Sequence, residues 1–133
     1  MAIDILFIGK YINDEISNRL SNLGYNDQAA KNSQKEYLNS IKKYYKKIST
    51  VNAYNIPFNF KNLLFKRVVW TDDISSNIAV KFINIPILSH MLRMFNVNKE
   101  IRIMCKNFTV NEKTIVLIYG IQSSLMYSNK ILK

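Results

Sequence analysis

Two short apolar runs, each closed by a glycine, stand at opposite ends of the chain: Ile3-Asp4-Ile5-Leu6-Phe7-Ile8-Gly9 and Ile115-Val116-Leu117-Ile118-Tyr119-Gly120. Neither alternates apolar with polar residues. A near-continuous run needs cover on both faces, which is the signature of a parallel strand between helices. Asp4 is the exception and is assigned to the open end of its strand. A polar stretch and then a helix-like segment follow each run. An α/β sheet presents a ligand in this order, with the strand ending and polar groups gathering at the carboxyl edge.

The remaining composition narrows the class. Only 3 Gly and 2 Pro are present, too few for the many turns of an all-β sandwich. The chain has 133 residues, enough for one domain with a real core. The net charge of +10 suggests nucleic acid or an anionic membrane as partners. Yet residues 1–66 hold 10 basic and 5 acidic groups and residues 67–133 hold 9 and 4, so each half is +5 and no charged tail exists. No RNP-like, zinc-finger or helix-turn-helix pattern supports nucleic acid, and none is expected as a partner. The single cysteine, Cys105, excludes an internal disulfide and fits a reducing compartment. No stretch nears the ~20 apolar residues that cross a bilayer. The chain is expected to be cytoplasmic, at most resting on the inner face of a membrane.

Between the two runs the spacing predicts alternating elements. Residues 10–26 form a long polar connection, with turns at Asn13-Asp14-Glu15 and Ser21–Gly24 and a short helical stretch over Ile16–Leu23. A connection this long at a strand's carboxyl end points to binding. Asn26 or Asp27 is placed to cap the next helix. From Ala30, Tyr37, Leu38, Ile41, Tyr44, Tyr45 and Ile48 recur at helical spacing, with Lys31, Lys35, Lys42 and Lys46 opposite. Lys42, Lys43, Lys46 and Lys47 gather at the end of this helix, where the dipole favours cations. Strands are predicted over Ile48–Tyr54, Lys66–Thr71 and Ala79–Ile85, with a turn over Asp72–Asn77. A helix spans Ile87 to Phe108 with Leu88, Met91, Leu92, Phe95, Ile101, Met104 and Cys105 on or near one face. Thr114–Gly120 is the last strand, and a helix opens at Ser123.

Little here carries chemistry. Asp72-Asp73 lacks the third ligand a metal needs and reads as a turn. His90 has no partner for a dyad or a zinc site and reads as structural. Asp14-Glu15 reads as solvated loop. No metal and no cofactor are expected. Gly9-Lys10-Tyr11 is the more telling set: the glycine permits a tight turn, and Lys10 and Tyr11 are suited to a phosphate or a sugar ring. It is not the Gly-x-Gly-x-x-Gly dinucleotide fingerprint.

The run Ile5–Tyr11, a polar loop, and Gly24-Tyr25-Asn26-Asp27-Gln28-Ala29-Ala30-Lys31-Asn32 opening a helix resemble the N-terminal half of a GT-B-type glycosyltransferase, with family 4 the nearest group. The late segment Val116–Leu125 resembles that family's strand-to-helix turn beside the first strand. The resemblance implies a Rossmann-like, mostly parallel sheet flanked by helices, an incomplete GT-B N-terminal domain. It implies that Gly9 and Gly120 flank the topological switch point. Lys10, Tyr11, Asn26, Asp27, Gln28, Gln122 and Ser123 would line the acceptor side with them. It further implies transfer of a sugar from a nucleotide-sugar to a glycan or lipid-linked acceptor in surface polysaccharide synthesis, without a metal. The donor would bind only with a C-terminal half that this chain lacks, including its Glu–seven residues–Glu segment, so the chain alone is expected to be inactive. The alternative reading is a non-catalytic basic α/β module that binds nucleic acid or another polyanion.

Overall fold

The computed structural model describes residues 3–24, 28–54, 56–58, 63–107 and 113–119. Its central element is β1 (Ile5–Gly9), buried at all five positions. The chain then runs through α1 (Asp14–Ser21), α2 (Gln28–Lys42), β2 (Ile48–Asn52), β3 (Leu64–Phe65), β4 (Val68–Thr71), β5 (Ser76–Ala79), β6 (Phe82–Ile83), α3 (Leu88–Lys106) and β7 (Ile115–Ile118). Five strands form one sheet in the order β4-β5-β2-β1-β7, and β3 pairs with β6 in a separate ribbon. β1, β2, β5 and β7 are parallel, and β4 is an antiparallel edge. The expected Rossmann-like class, a mostly parallel sheet between helices, is what this architecture presents.

The pleat of β1 divides the core. Ile5 and Phe7 face one side, where Leu38 of α2 and Ile48 and Ile74 join them. Leu6 and Ile8 face the other, against Val51, Val80 and Val97 and Ile101 of α3. The helix joining β1 to β2 thus covers one face, and the helix joining β5 to β7 covers the other. A third cluster, with Ile12, Leu20, Tyr54, Phe65 and Phe82, lies where α1 meets the β3–β6 ribbon. Asp4 fastens the amino edge: its Oδ2 accepts the N–H groups of Lys46 and Lys47 at 3.1 and 3.0 Å, just before β2 begins.

Several boundaries depart from the sequence reading. The long connection after β1 holds α1, whose N-cap is Asn13: its Oδ1 accepts the Ile16 N–H at 2.8 Å. The predicted 72–77 turn is shorter, because Asp72 Oδ1 accepts from both Ile74 N and Ser75 N and closes it early. The polar segment Ser76–Ala79 is therefore a central strand. The predicted 79–85 strand keeps only Phe82–Ile83, which leaves the sheet to pair with β3. Lys31 is not on a solvent face but 5% exposed, with its Nζ paired to Asp14 at the start of α1. On α3, Leu92, Val97, Ile101, Met104 and Cys105 face inward, whereas Leu88, Met91 and Phe95 point outward. His90 is exposed on α3. The helix predicted from Ser123 lies outside the described residues.

Gly9 is required by crowding rather than by its own backbone angle. A Cβ there would sit 2.4 Å from Phe7 Cε1 and 2.7 Å from Gln34 Oε1. Gly24, in contrast, holds φ at +84° in the turn after α1, a conformation that favours glycine. Gly9→Ala is expected to destabilise the fold by ~1–3 kcal/mol through overpacking, read as a lower urea midpoint at unchanged m-value.

Candidate functional site

The carboxyl edge of the sheet begins where β1 ends. Lys10 N donates to Gln34 Oε1 at 2.8 Å, and Tyr11 N donates to Asn52 Oδ1 at 2.8 Å. Both backbone donors after Gly9 are therefore satisfied internally. Tyr11 itself is buried, and its hydroxyl donates to Asp72 Oδ2 at 2.8 Å. Burial first, and that hydrogen bond second, hold its phenol well above the ordinary tyrosine range. Tyr11 is a fixed donor, not a base.

Asp72 belongs to a buried polar seam that crosses the sheet beneath α2. Its Oδ2 also accepts from Asn77 Nδ2 at 3.2 Å. Asn77 Oδ1 accepts from Thr50 Oγ1 and Ser75 Oγ, at 2.6 and 2.7 Å. Thr50 Oγ1 accepts in turn from Asn52 Nδ2 at 2.7 Å. Thr50, Asn52 and Asn77 are fully buried, so each needs these partners to offset its lost hydration. Sequence reading passed over Gln34, Asn52 and Asn77. For Asn52 the available signal was asparagine inside a predicted strand, a residue that strands disfavour unless its amide is engaged, whereas Asn77 fell in the predicted turn and gave none.

Of the nine residues expected to line an acceptor, the structure describes four. Gly9, Lys10 and Tyr11 form the strand-to-loop turn, with Lys10 half-buried. Gln28 opens α2 and is exposed, and its Oε1 lies 3.4 Å from Ser17 Oγ of α1. Asn26, Asp27, Gly120, Gln122 and Ser123 lie outside the described residues. The strands carrying the two glycine-ended runs are direct neighbours: Ile8 pairs with Ile118, and Tyr119 N donates to Ile8 O at 2.9 Å. Since α2 and α3 cover opposite faces, the winding reverses between β1 and β7, and this is the switch point of the sheet.

Two cavities adjoin this edge on the α2 side. One, of about 200 Å³, is bounded by Phe7, Ser33, Tyr37, Leu117, Ile118 and Tyr119. Its three rings lie close, with Phe7 6.3 Å from Tyr37 and 6.2 Å from Tyr119 between centroids. The Tyr119 hydroxyl lies 3.2 Å from Ser33 Oγ. The other, of about 230 Å³, is polar and is lined by Asn13, Asp14, Lys31, Lys35, Asp72 and Asp73 among others. Here buried Lys31 Nζ meets the exposed carboxylate of Asp14 at 2.5 Å. Lys31 holds that carboxyl below its usual range by hydrogen bond and charge. Among the described residues no group of three or more His, Cys, Asp or Glu side chains is arranged to hold a metal.

Removing Asp72 disconnects four donors at once, so Asp72→Ala is expected to cost ~2–3 kcal/mol, and Tyr11→Phe ~1 kcal/mol, in denaturant unfolding. The Asp14 pair gives a pH signature. With the folded pKa below the unfolded value, its contribution is complete above the unfolded carboxyl pKa. It is lost as pH falls through the lower folded value. Thermal melts below about pH 4 should therefore show a smaller acid-induced drop in Asp14→Asn than in the parent. An equal drop would mean that the pair contributes nothing.

No known protein family matches this chain, and no characterised protein or solved structure matches it.

Proposed function

We propose that the chain is the acceptor-side portion of a sugar-transferring enzyme, with its ligand at the carboxyl ends of β1 and β7. The observation that carries this reading is the reversal of winding between those two strands. In open α/β sheets the crevice outside the strand ends at such a point is the usual ligand position. The ring-lined cavity beside it supports a saccharide in particular. Aromatic faces suit the apolar face of a sugar ring, and the Ser33 and Tyr119 hydroxyls supply polar contacts at its rim. Among the described residues no group of three or more His, Cys, Asp or Glu side chains is arranged to hold a metal, and the groups described at this edge are hydroxyls, rings and amides. In this reading the chain contributes positioning: it would hold the attacking hydroxyl against a donor bound elsewhere. In keeping with the GT-B resemblance, the donor would be a nucleotide-sugar and the acceptor a glycan or a lipid-linked glycan. Peripheral contact with an anionic membrane belongs to the same reading.

Saturation-transfer NMR with a panel of mono- and disaccharides tests this on the chain as it stands. Contact from at least one sugar to aromatic protons is expected, reduced by about tenfold or more in affinity in Tyr37→Ala and Tyr119→Ala, each such contact being a few kcal/mol at most. Turnover of UDP-glucose by the purified chain would overturn the division of labour. Steeply salt-dependent binding to arbitrary DNA, without saccharide binding, would favour a polyanion-binding module instead.

A further inference from the structure

The outward face of α3 is divided along its length. Leu88, Met91 and Phe95 occupy it first, at 41%, 61% and 67% exposure. Lys99, Arg102 and Lys106 follow on the same face, all exposed. The spacing of three or four residues throughout puts all six on one stripe. The only carboxylate of α3, Glu100, is buried on the opposite side, where it is held in a two-point pair by Arg67 Nε and Nη2 at 2.5 and 3.1 Å. The helix dipole accounts for Lys106 in the last turn, but not for Lys99.

The apolar half continues into the segment before the helix. Ile83 and Ile85 are exposed, and Ile87 is 82% exposed. Ile87 also has φ +69° and ψ −58°, closed by Leu88 N donating to Pro86 O at 2.8 Å. This is a γ-turn of the rare positive-φ kind, and a β-branched residue is among the worst to occupy it. The fold thus spends stability to hold an isoleucine out in water.

Topology sets where this patch lies. β5 delivers the chain to the carboxyl edge, and α3 returns it to the start of β7, so the apolar half of α3 stands at the edge that holds the switch point. Lys43, Lys46 and Lys47 lie before β2, at the amino edge, away from it.

We infer that the Ile85–Phe95 face of α3, with Lys99, Arg102 and Lys106, is a docking surface for an anionic lipid bilayer. Apolar side chains entering the acyl boundary beside cations drawn to anionic headgroups are how a surface-bound helix is held. Charge complementarity decides the occupant. The stripe carries three cations and no anion, and the whole chain is +10, so a second copy would be repelled. The inference deepens the proposed function, since it would turn the switch-point edge towards a lipid-linked acceptor. It fails separately, because bilayer binding needs no acceptor.

Flotation of the full chain with vesicles of mixed phosphatidylglycerol and phosphatidylcholine, against phosphatidylcholine alone, is the test. Binding to the anionic vesicles only, weakening with salt, is expected. Replacing Lys99, Arg102 and Lys106 with Gln should weaken it by roughly a hundredfold. Met91→Ser with Phe95→Ser should weaken it by more than about tenfold. Ile87→Gly should raise the urea midpoint while lowering vesicle binding, a combination that a purely structural Ile87 would not give. Replacing Lys43, Lys46 and Lys47 with Gln should leave binding within about threefold of the parent, less than one such charge at the surface contributes. Circular dichroism checks that each variant folds. The inference is overturned by no binding to anionic vesicles at low salt, or by loss of binding in the Lys43/Lys46/Lys47 variant alone. It is also overturned by a stable dimer without vesicles that the Met91/Phe95 variant dissociates, which would make the occupant a second copy.

Discussion

Everything in this molecule is built on a strand that is paired along both edges and buried on both faces. β1 bonds to β2 on one side and β7 on the other, in register from Ile5 onward. Its odd residues hold α2 and its even residues hold α3. A one-residue slip would exchange the two sets and strand Phe7 against the wrong helix. The ends of β1 are pinned accordingly. Asp4 ties the amino end to the backbone before β2, and the donors after Gly9 are tied to Gln34 and Asn52. The switch point inherits its position from this strand, not from any motif in the loops around it.

The second constraint is the polar seam under α2. A parallel sheet in a dry interior is usually lined with Val, Ile and Leu. Here Thr50, Asn52 and Asn77 replace them across β2 and β5, and Tyr11 and Asp72 close the chain of hydrogen bonds. The seam joins the turn after β1 to the turn before β5, from opposite ends of the sheet. It therefore couples the carboxyl edge, where a ligand would sit, to the β4–β5 hairpin at the amino edge. Satisfied networks of this kind rigidify, because leaving any one member unpaired in a low-dielectric interior is costly.

How much of this was legible follows from the same physics. The two glycine-ended runs gave the central strand and its β7 neighbour, because an unbroken apolar run has few other solutions. α2 and α3 were legible from helical spacing to within a few residues. β5 was not, because Ser76-Asn77-Ile78-Ala79 hides its burial in side-chain hydrogen bonds that no single-strand pattern reveals. The burial of Lys31 was hidden for a related reason: its partner is Asp14 at the start of α1, and Asn13-Asp14-Glu15 reads as a solvated turn ahead of the helical stretch. The outward face of α3 was not legible because apolar and polar residues are mixed around the helix, with Leu88, Met91 and Phe95 on one side and Leu92, Val97 and Ile101 on another, so period alone does not select the buried side. At the site, Gly9 was recognised but for a different reason, since the constraint is the nearness of Phe7 and Gln34 rather than a special backbone angle. Tyr11 was recognised as well placed, yet its hydroxyl is spent on Asp72.

The two edges of the sheet carry different chemistry, although the two halves of the sequence carry equal charge. At the amino edge, Lys46 and Lys47 give their backbone N–H groups to Asp4, a bond that any residue but proline can make, and expose their charged side chains to solvent. At the carboxyl edge the exposed side chains are instead apolar: Ile83, Ile85, Ile87, Leu88, Met91 and Phe95. A fold that needed only to pack would gain by placing glycine at 87 and polar residues at 91 and 95, since none of these side chains fills the core. Isoleucine at a positive φ costs stability in the isolated chain whatever else it does. The bilayer docking we infer would give that side chain an apolar medium outside the protein, and the neighbouring cations suit one with a negative surface.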